Sequence, residues 1–293
     1  MADISALETL RFEAVGGIVT LRLDRPHGNA INPGLVTDLL AAFDRIESDD
    51  SVRGVLLASA HPRIFCPGLD LQELYPLDRP ALETFLRSFC LCYRRLFTLT
   101  KPVVAALAGH AVAGGFVLAL AADHRVLASD GATIGLNEIR IGLPLPWGVT
   151  VLLRQAVDPS RLAEVAMLGR NVTGGPAVAA GLVQELAPAG QVESVARERL
   201  ADYAAKSPLA LRLIKTYLRA EAAREMREGD EARLNDFLEV WFSPATHASL
   251  GQSVVALRDR GGDREGGREG GRESGREGSR EGGREGSREG RGA

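Results

Sequence analysis

Lys101-Pro-Val-Val-Ala-Ala-Leu-Ala-Gly-His-Ala-Val-Ala-Gly-Gly115, continued by Phe116-Val-Leu-Ala-Leu-Ala-Ala122, decides how the chain is read. Residues 102–122 carry no formal charge over 21 positions, nominally enough to span a bilayer. The composition argues otherwise. The run is rich in Ala and Gly rather than Leu, and His110 sits inside it between Gly109 and the Gly114-Gly115 pair. A buried strand over 103–107, a glycine turn and a buried helix from Gly114 account for the same residues without a membrane.

Working outward, the same kinds of unit recur. Residues 18–23 alternate as I-V-T-L-R-L and predict a strand. Asn32-Pro33 reads as an N-cap with Pro in the first turn, followed by Leu35, Leu39, Leu40, Phe43 and Ile46 at helical spacing. A short strand is expected at 55–58, a loop at 61–70, a helix at 80–99 and a strand at 125–128. From Trp147 the pattern turns helical: 146–156, 159–168, 176–180, 191–205, 208–221, 224–241 and 244–257, with one strand at 182–186. Repeated strand–helix units followed by helices predict an α/β core, residues 1–200, with a C-terminal helical region at 201–258.

Composition sets the outer bounds. The chain has 293 residues, with 35 Lys+Arg against 38 Asp+Glu. So balanced a charge argues against a nucleic-acid partner held by a broad basic face. Three Cys (66, 90, 92) cannot frame a fold of this length by disulfides. The first ten residues lack a cationic start and apolar run, so a cytoplasmic location is expected. Residues 261–293 hold 13 Gly, 8 Arg and 8 acids with no aliphatic group larger than Ala. A disordered tail over 259–293 follows, its Arg and Glu neighbours cancelling any pull on phosphate.

Much chemistry is unsupported. There is no G-x-x-x-x-G-K-[ST] loop, no G-x-G-x-x-G after a strand, no G-x-S-x-G elbow and no H-E-x-x-H. No metal site is expected: Cys90 and Cys92 would face different sides of a helix. What remains are two glycine turns, 65–70 and 109–115. Each suits exposed backbone N–H groups, and two such groups meeting at one point would hold a developing negative charge. Spacing alone leaves tight packing as the plainer explanation.

The motifs are more specific than the spacing. Phe65-Cys-Pro-Gly-Leu-Asp-Leu71 resembles the F-[SC]-x-G-x-D-[LI] loop of the crotonase (enoyl-CoA hydratase/isomerase) superfamily. Residues 101–115 resemble its K-P-x-[VI]-A-x-[VI]-x-G-x-[AC]-x-[GA]-G-G element. Asp24-Arg-Pro26 with Asn29-Ala30, and Gly169-Arg170 with 177–183, resemble two further elements in the same order. The resemblance covers roughly residues 8–258. It implies a crotonase-type core of repeated ββα turns, homotrimers or hexamers, and an acyl-CoA thioester substrate. It also implies that the backbone N–H groups of Leu69 and Gly114 hold the thioester oxygen of an enolate.

The carboxylates then separate the reactions. Family hydratases use two glutamates, one in G-G-x-E. Here that position is Val117, while the second falls on Glu138 within Ile134-Gly-Leu-Asn-Glu-Ile-Arg-Ile-Gly142. Adding water across a double bond needs two carboxylates acting together, and Val117 can neither donate nor accept. Moving a double bond needs one. The text around 68–71, 135–138 and 144–147 resembles the Δ3,Δ2-enoyl-CoA isomerases of the superfamily more than its hydratases. The resemblance thus implies a cytoplasmic isomerase converting 3-enoyl-CoA to trans-2-enoyl-CoA in β-oxidation-type degradation, with Glu138 as acid and base. No metal or redox cofactor is implied, coenzyme A being part of the substrate. Cys66, Gly68, Asp70, Val117, Trp147 and Arg25 are expected around that substrate. Asp70 would brace its loop and Trp147 wall the acyl pocket. Arg25 would meet CoA phosphates, since only three Lys occur in the chain. His110 and Asp123 are expected to be structural. A hydratase, another enolate reaction such as thioester hydrolysis or decarboxylation, and a CoA-binding relative without activity remain the alternatives.

Overall fold

The computed structural model describes residues 7–269. It opens with a hairpin of β1 (Leu10–Val15) and β2 (Ile18–Leu23). Gly16 and Gly17 both take positive φ, 59° and 80°, the backbone that a two-residue turn between right-twisted strands demands. Next come a single turn α1 (Pro26–Asn29), α2 (Pro33–Ser48), β3 (Gly54–Ser59), β4 (Ile64–Cys66), the short α3 (Leu71–Leu74) and α4 (Arg79–Thr98). The Asn32 carboxamide caps α2 by accepting from Leu35 N at 2.9 Å, and Asp78 caps α4 through Ala81 N at 2.9 Å.

The deciding stretch folds as β5 (Val103–Leu107), β6 (His110–Val112) and α5 (Gly114–Leu120). Every residue of β5 and α5 is buried, which is why the run carries no charge. No helix among the described residues is long and apolar enough to cross a membrane. The chain continues through β7 (His124–Ala128), β8 (Ile134–Gly135), a 3-10 turn (Glu138–Ile141), α6 (Trp147–Ala156), α7 (Leu162–Leu168) and α8 (Gly174–Ala179). It then passes through β9 (Glu185–Ala187), α9 (Val192–Ala204), α10 (Pro208–Trp241) and α11 (Pro244–Glu269).

Two sheets result. A six-stranded sheet has the order β1-β2-β3-β5-β7-β9, antiparallel only at the β1–β2 hairpin. A three-stranded sheet, β4-β6-β8, is wholly parallel. β3 and β5 read as unbroken apolar runs because both of their faces are covered.

Several expectations are corrected. β1 was not expected, although Leu10, Phe12 and Ala14 alternate along it. β4, β6 and β8 are too short to carry a period, and β4 lies inside the expected loop at 61–70. The helices expected at 208–221 and 224–241 are one, since neither Gly nor Pro interrupts 219–227. The last strand is shifted to 185–187. Two compact units divide the chain, Met1–Val254 and Val255–Ala293. In the second, helix continues to Glu269, inside the stretch expected to be a disordered tail; residues 270–293 lie outside the described ones.

Candidate active site

The small parallel sheet delivers three candidate positions to one edge. Its strands β4, β6 and β8 run the same way, so the residues that follow them leave at the same end: Leu69 after β4, Gly114 after β6 and Glu138 after β8. In parallel sheets that carboxyl end is where ligands gather. Pairing persists past the strands, with Ala113 N donating to Gly135 O at 2.8 Å. Gly114 and Glu138 therefore emerge from adjoining backbone.

Each of the two N–H groups is kept free by its surroundings. Ile31 bridges to Leu69 in parallel fashion. Ile31 N donates to Gly68 O (2.7 Å) and Asp70 N to Ile31 O (2.8 Å). The peptide groups on either side of Leu69 are thus engaged, and its own N–H is turned away from Ile31 without a hydrogen bond. Gly114 opens α5, so its N–H has no intrahelical acceptor. Ala113 before it holds φ 48° and ψ −133°, an arrangement that costs a non-glycine residue of order 1–3 kcal/mol and recurs at functional sites. The two loops touch. A Cβ on Gly68, whose φ is 105°, would stand 2.8 Å from Ala113 Cβ and 3.3 Å from Gly114 N. A Cβ on Gly115 would stand 2.1 Å from Cys66 O. Side chains at either position would force the loops apart.

Glu138 completes the edge. Its Oε2 is buried with no hydrogen-bond partner. Burial pushes the carboxyl up from an ordinary 4.5 to about 7, opposed only by a hydrogen bond from its own backbone N–H. Neither a second carboxylate nor a cation contributes to that rise. Val117, where a hydratase would carry its other glutamate, is 1% exposed in α5.

The remaining expected residues divide. Asp70 braces its loop as expected: it accepts from Gln72 N (3.1 Å) and Glu73 N (3.3 Å), and it pairs with Arg25 at 2.7 Å. Arg25, expected to meet CoA phosphates, is instead engaged within the protein. Its guanidinium is buried and committed to Asp70, Glu73 and Ala30 O, which fixes the Leu69 loop to the chain after β2. Cys66 does not reach a substrate through its side chain. The thiol is fully buried, donates to Asn29 O (3.0 Å), and is pushed up to about 12 by burial. Trp147 stands in the packing between α6 and α10. A Cβ on Gly229 would be 1.9 Å from its ring, and the Arg233 guanidinium lies 4.0 Å from the ring centroid. His110 is structural as expected, its Nδ1 hydrogen-bonded to Thr133 Oγ1 (2.8 Å) and accepting from Thr133 N (3.1 Å). Asp123 pairs with Lys215 and Arg219.

Asn29 and Ile31 were missed. Asn29 is fully buried, and its amide donates to Ser59 Oγ and Phe65 O, both at 2.9 Å. Its Oδ1 accepts from Arg25 N at 2.8 Å. The signal was present: Asn29-Ala30 belongs to one of the matching elements, but that element names no role.

Comparison with known proteins gives the family and the fold. The family model described as Enoyl-CoA hydratase/isomerase matches residues 13–249. The carnitinyl-CoA dehydratase of Proteus mirabilis (strain HI4320) is 32% identical over 222 residues, which cover 76% of this chain and 84% of that protein. The mitochondrial enoyl-CoA delta isomerase 1 of Mus musculus is 28% identical over 251 residues, covering 85% and 87%. The crystal structure of human mitochondrial delta3-delta2-enoyl-CoA isomerase matches with a TM-score of 0.82 at 26% identity, covering 86% of this chain and 99% of that one. With its mixed six-stranded sheet beside a small parallel one, its paired glycine turns and a family match over residues 13–249, the chain belongs to the enoyl-CoA hydratase/isomerase family.

Proposed function

We propose that this protein moves the double bond of a 3-enoyl-CoA to the trans-2 position, with Glu138 as its single acid and base. One observation carries the reading. A buried carboxyl held near neutrality by burial alone stands at the same sheet edge as two unpaired backbone N–H groups. The N–H groups of Leu69 and Gly114 donate to the thioester oxygen and stabilise the charge that develops there. Glu138 takes a proton from C2, the electron pair moves onto the oxygen, and a dienolate forms. The same carboxyl returns the proton to C4, leaving the double bond between C2 and C3. A group with its pKa near the working pH suits both steps. As a proton transfer between two carbons, the reaction draws on no metal or redox group.

Hydration, or dehydration in reverse, calls for a second polar group to hold water, and Val117 supplies none. The likeness to a carnitinyl-CoA dehydratase therefore supports acyl-CoA binding rather than that reaction. We assign the exposed stripe Leu209, Leu213, Ile214, Tyr217 and Leu218 on α10 to contact between copies of this chain. The test of the reaction is conversion of short-, medium- and long-chain 3-enoyl-CoA by the purified protein beside Glu138→Gln. Conversion abolished by the substitution is expected. Undiminished conversion would remove Glu138 from the mechanism.

A further inference from the structure

Both halves of the site lead into one helix. Downstream of Leu69, Asp70 caps α3, which closes at Tyr75 with a hydrogen bond from Tyr75 N to Leu71 O (3.0 Å). Downstream of Glu138, the 3-10 turn closes at Gly142, whose N–H returns to the carbonyls of Glu138 and Ile139. Tyr75 and Gly142 then meet neighbouring residues of α11. The Tyr75 ring stacks on His247, centroids 4.4 Å apart and planes 18° from parallel. Its hydroxyl lies where a Cβ on Gly251 would approach to 2.9 Å. Thr246 makes a long hydrogen bond from Oγ1 to Gly142 O (3.4 Å), and a Cβ on Gly142 would stand 3.1 Å from the same hydroxyl.

This part of α11 is itself well anchored. Thr246, Leu250 and Val254 are buried. Phe242 also stacks on His247, ring centroids 6.2 Å apart and planes 23° from parallel. The buried Nδ1 of His247 has no hydrogen-bond partner, so the imidazole serves Tyr75 as a stacking surface rather than through that nitrogen.

We propose that Thr246 and His247 are positioning residues, a clamp that fixes the Glu138 turn relative to the Leu69 loop. The consequence for turnover rests on the reaction proposed above, whereas the mechanical coupling does not. Acid–base transfer between two carbons of one bound acyl group depends on this separation, and a misplacement of about 1 Å can cost on the order of 100-fold in rate.

The experiment uses the full chain with His247→Ala, His247→Phe and Thr246→Val. Deuterium uptake is followed in peptides covering 70–75 and 138–143, together with kcat and KM for 3-enoyl-CoA and the melting temperature. His247→Ala should speed exchange in both segments. It should lower kcat about tenfold or more while KM stays within about twofold. His247→Phe, which keeps a stacking ring, should restore both readouts. Thr246→Val, which keeps the volume, should loosen 138–143 and serves where His247→Ala fails to fold. Unchanged exchange in 138–143 would overturn the proposal. So would a drop in melting temperature with kcat preserved, or failure of His247→Phe to rescue. If exchange rises in both segments but the wild type leaves 3-enoyl-CoA untouched, the reaction assignment falls and the clamp stands.

Discussion

Replacing Glu138 by Gln should make the protein more stable, and only above mildly acidic pH. Gln keeps the shape of the side chain and removes its charge. In the folded protein the Glu138 carboxyl is held at about 7 by burial, against 4.5 ordinarily. A carboxyl whose pKa is raised by folding keeps a proton in the native state that the unfolded chain has released. Wild-type stability therefore falls as pH rises from about 4.5 through about 7, then levels off. The full span corresponds to roughly 3 kcal/mol, and the partial exposure of the side chain trims this to about 2 kcal/mol. Urea unfolding of both proteins at pH 4.5 and pH 8 measures it. The two curves should nearly coincide at the lower pH, with Glu138→Gln ahead by about 2 kcal/mol at the higher. Equal stabilities at pH 8, or a difference independent of pH, would show that the carboxylate is solvated or paired and refute the reasoning.

Other consequences follow from the same geometry. As a general base Glu138 must be ionised, so kcat/KM for a 3-enoyl-CoA should rise with pH through about 7 and then flatten; a profile flat from pH 5 to 8 contradicts this. Arg25→Met leaves Asp70 buried without its cation and should cost about 3–5 kcal/mol in urea unfolding. Intact stability with a raised, salt-sensitive KM would instead return Arg25 to the CoA phosphates. Leu218→Glu, at a position 74% exposed, should convert an oligomer to monomers by light scattering; an unchanged mass would release that stripe from the interface.

The sequence was most legible where local chemistry decides. The strand at 103–107 and the helix from Gly114 fall where the uncharged run and its glycines put them, because burial on all sides writes itself into composition. The N-cap at Asn32 is likewise a local signal. The small sheet was not legible: its strands have two or three residues each, and their pairing joins segments far apart in the chain. Partners distant in sequence also explain the misplaced residues. Arg25 meets Asp70 from 45 residues away, and Trp147 packs on Gly229. Neither contact leaves a periodicity to read. The helix expected at 244–257 is α11, but the same limit hid the contacts of its Thr246 with Gly142 and of its His247 with Tyr75.

The most direct test of a single-carboxylate isomerase is to incubate the protein with 3-enoyl-CoA in water enriched in oxygen-18 and weigh the products. The account predicts trans-2-enoyl-CoA carrying no heavy oxygen, formed by the wild type and not by Glu138→Gln. Heavy oxygen in a 3-hydroxyacyl-CoA would show hydration, and in a free acid thioester hydrolysis. Either as the main product would contradict the account.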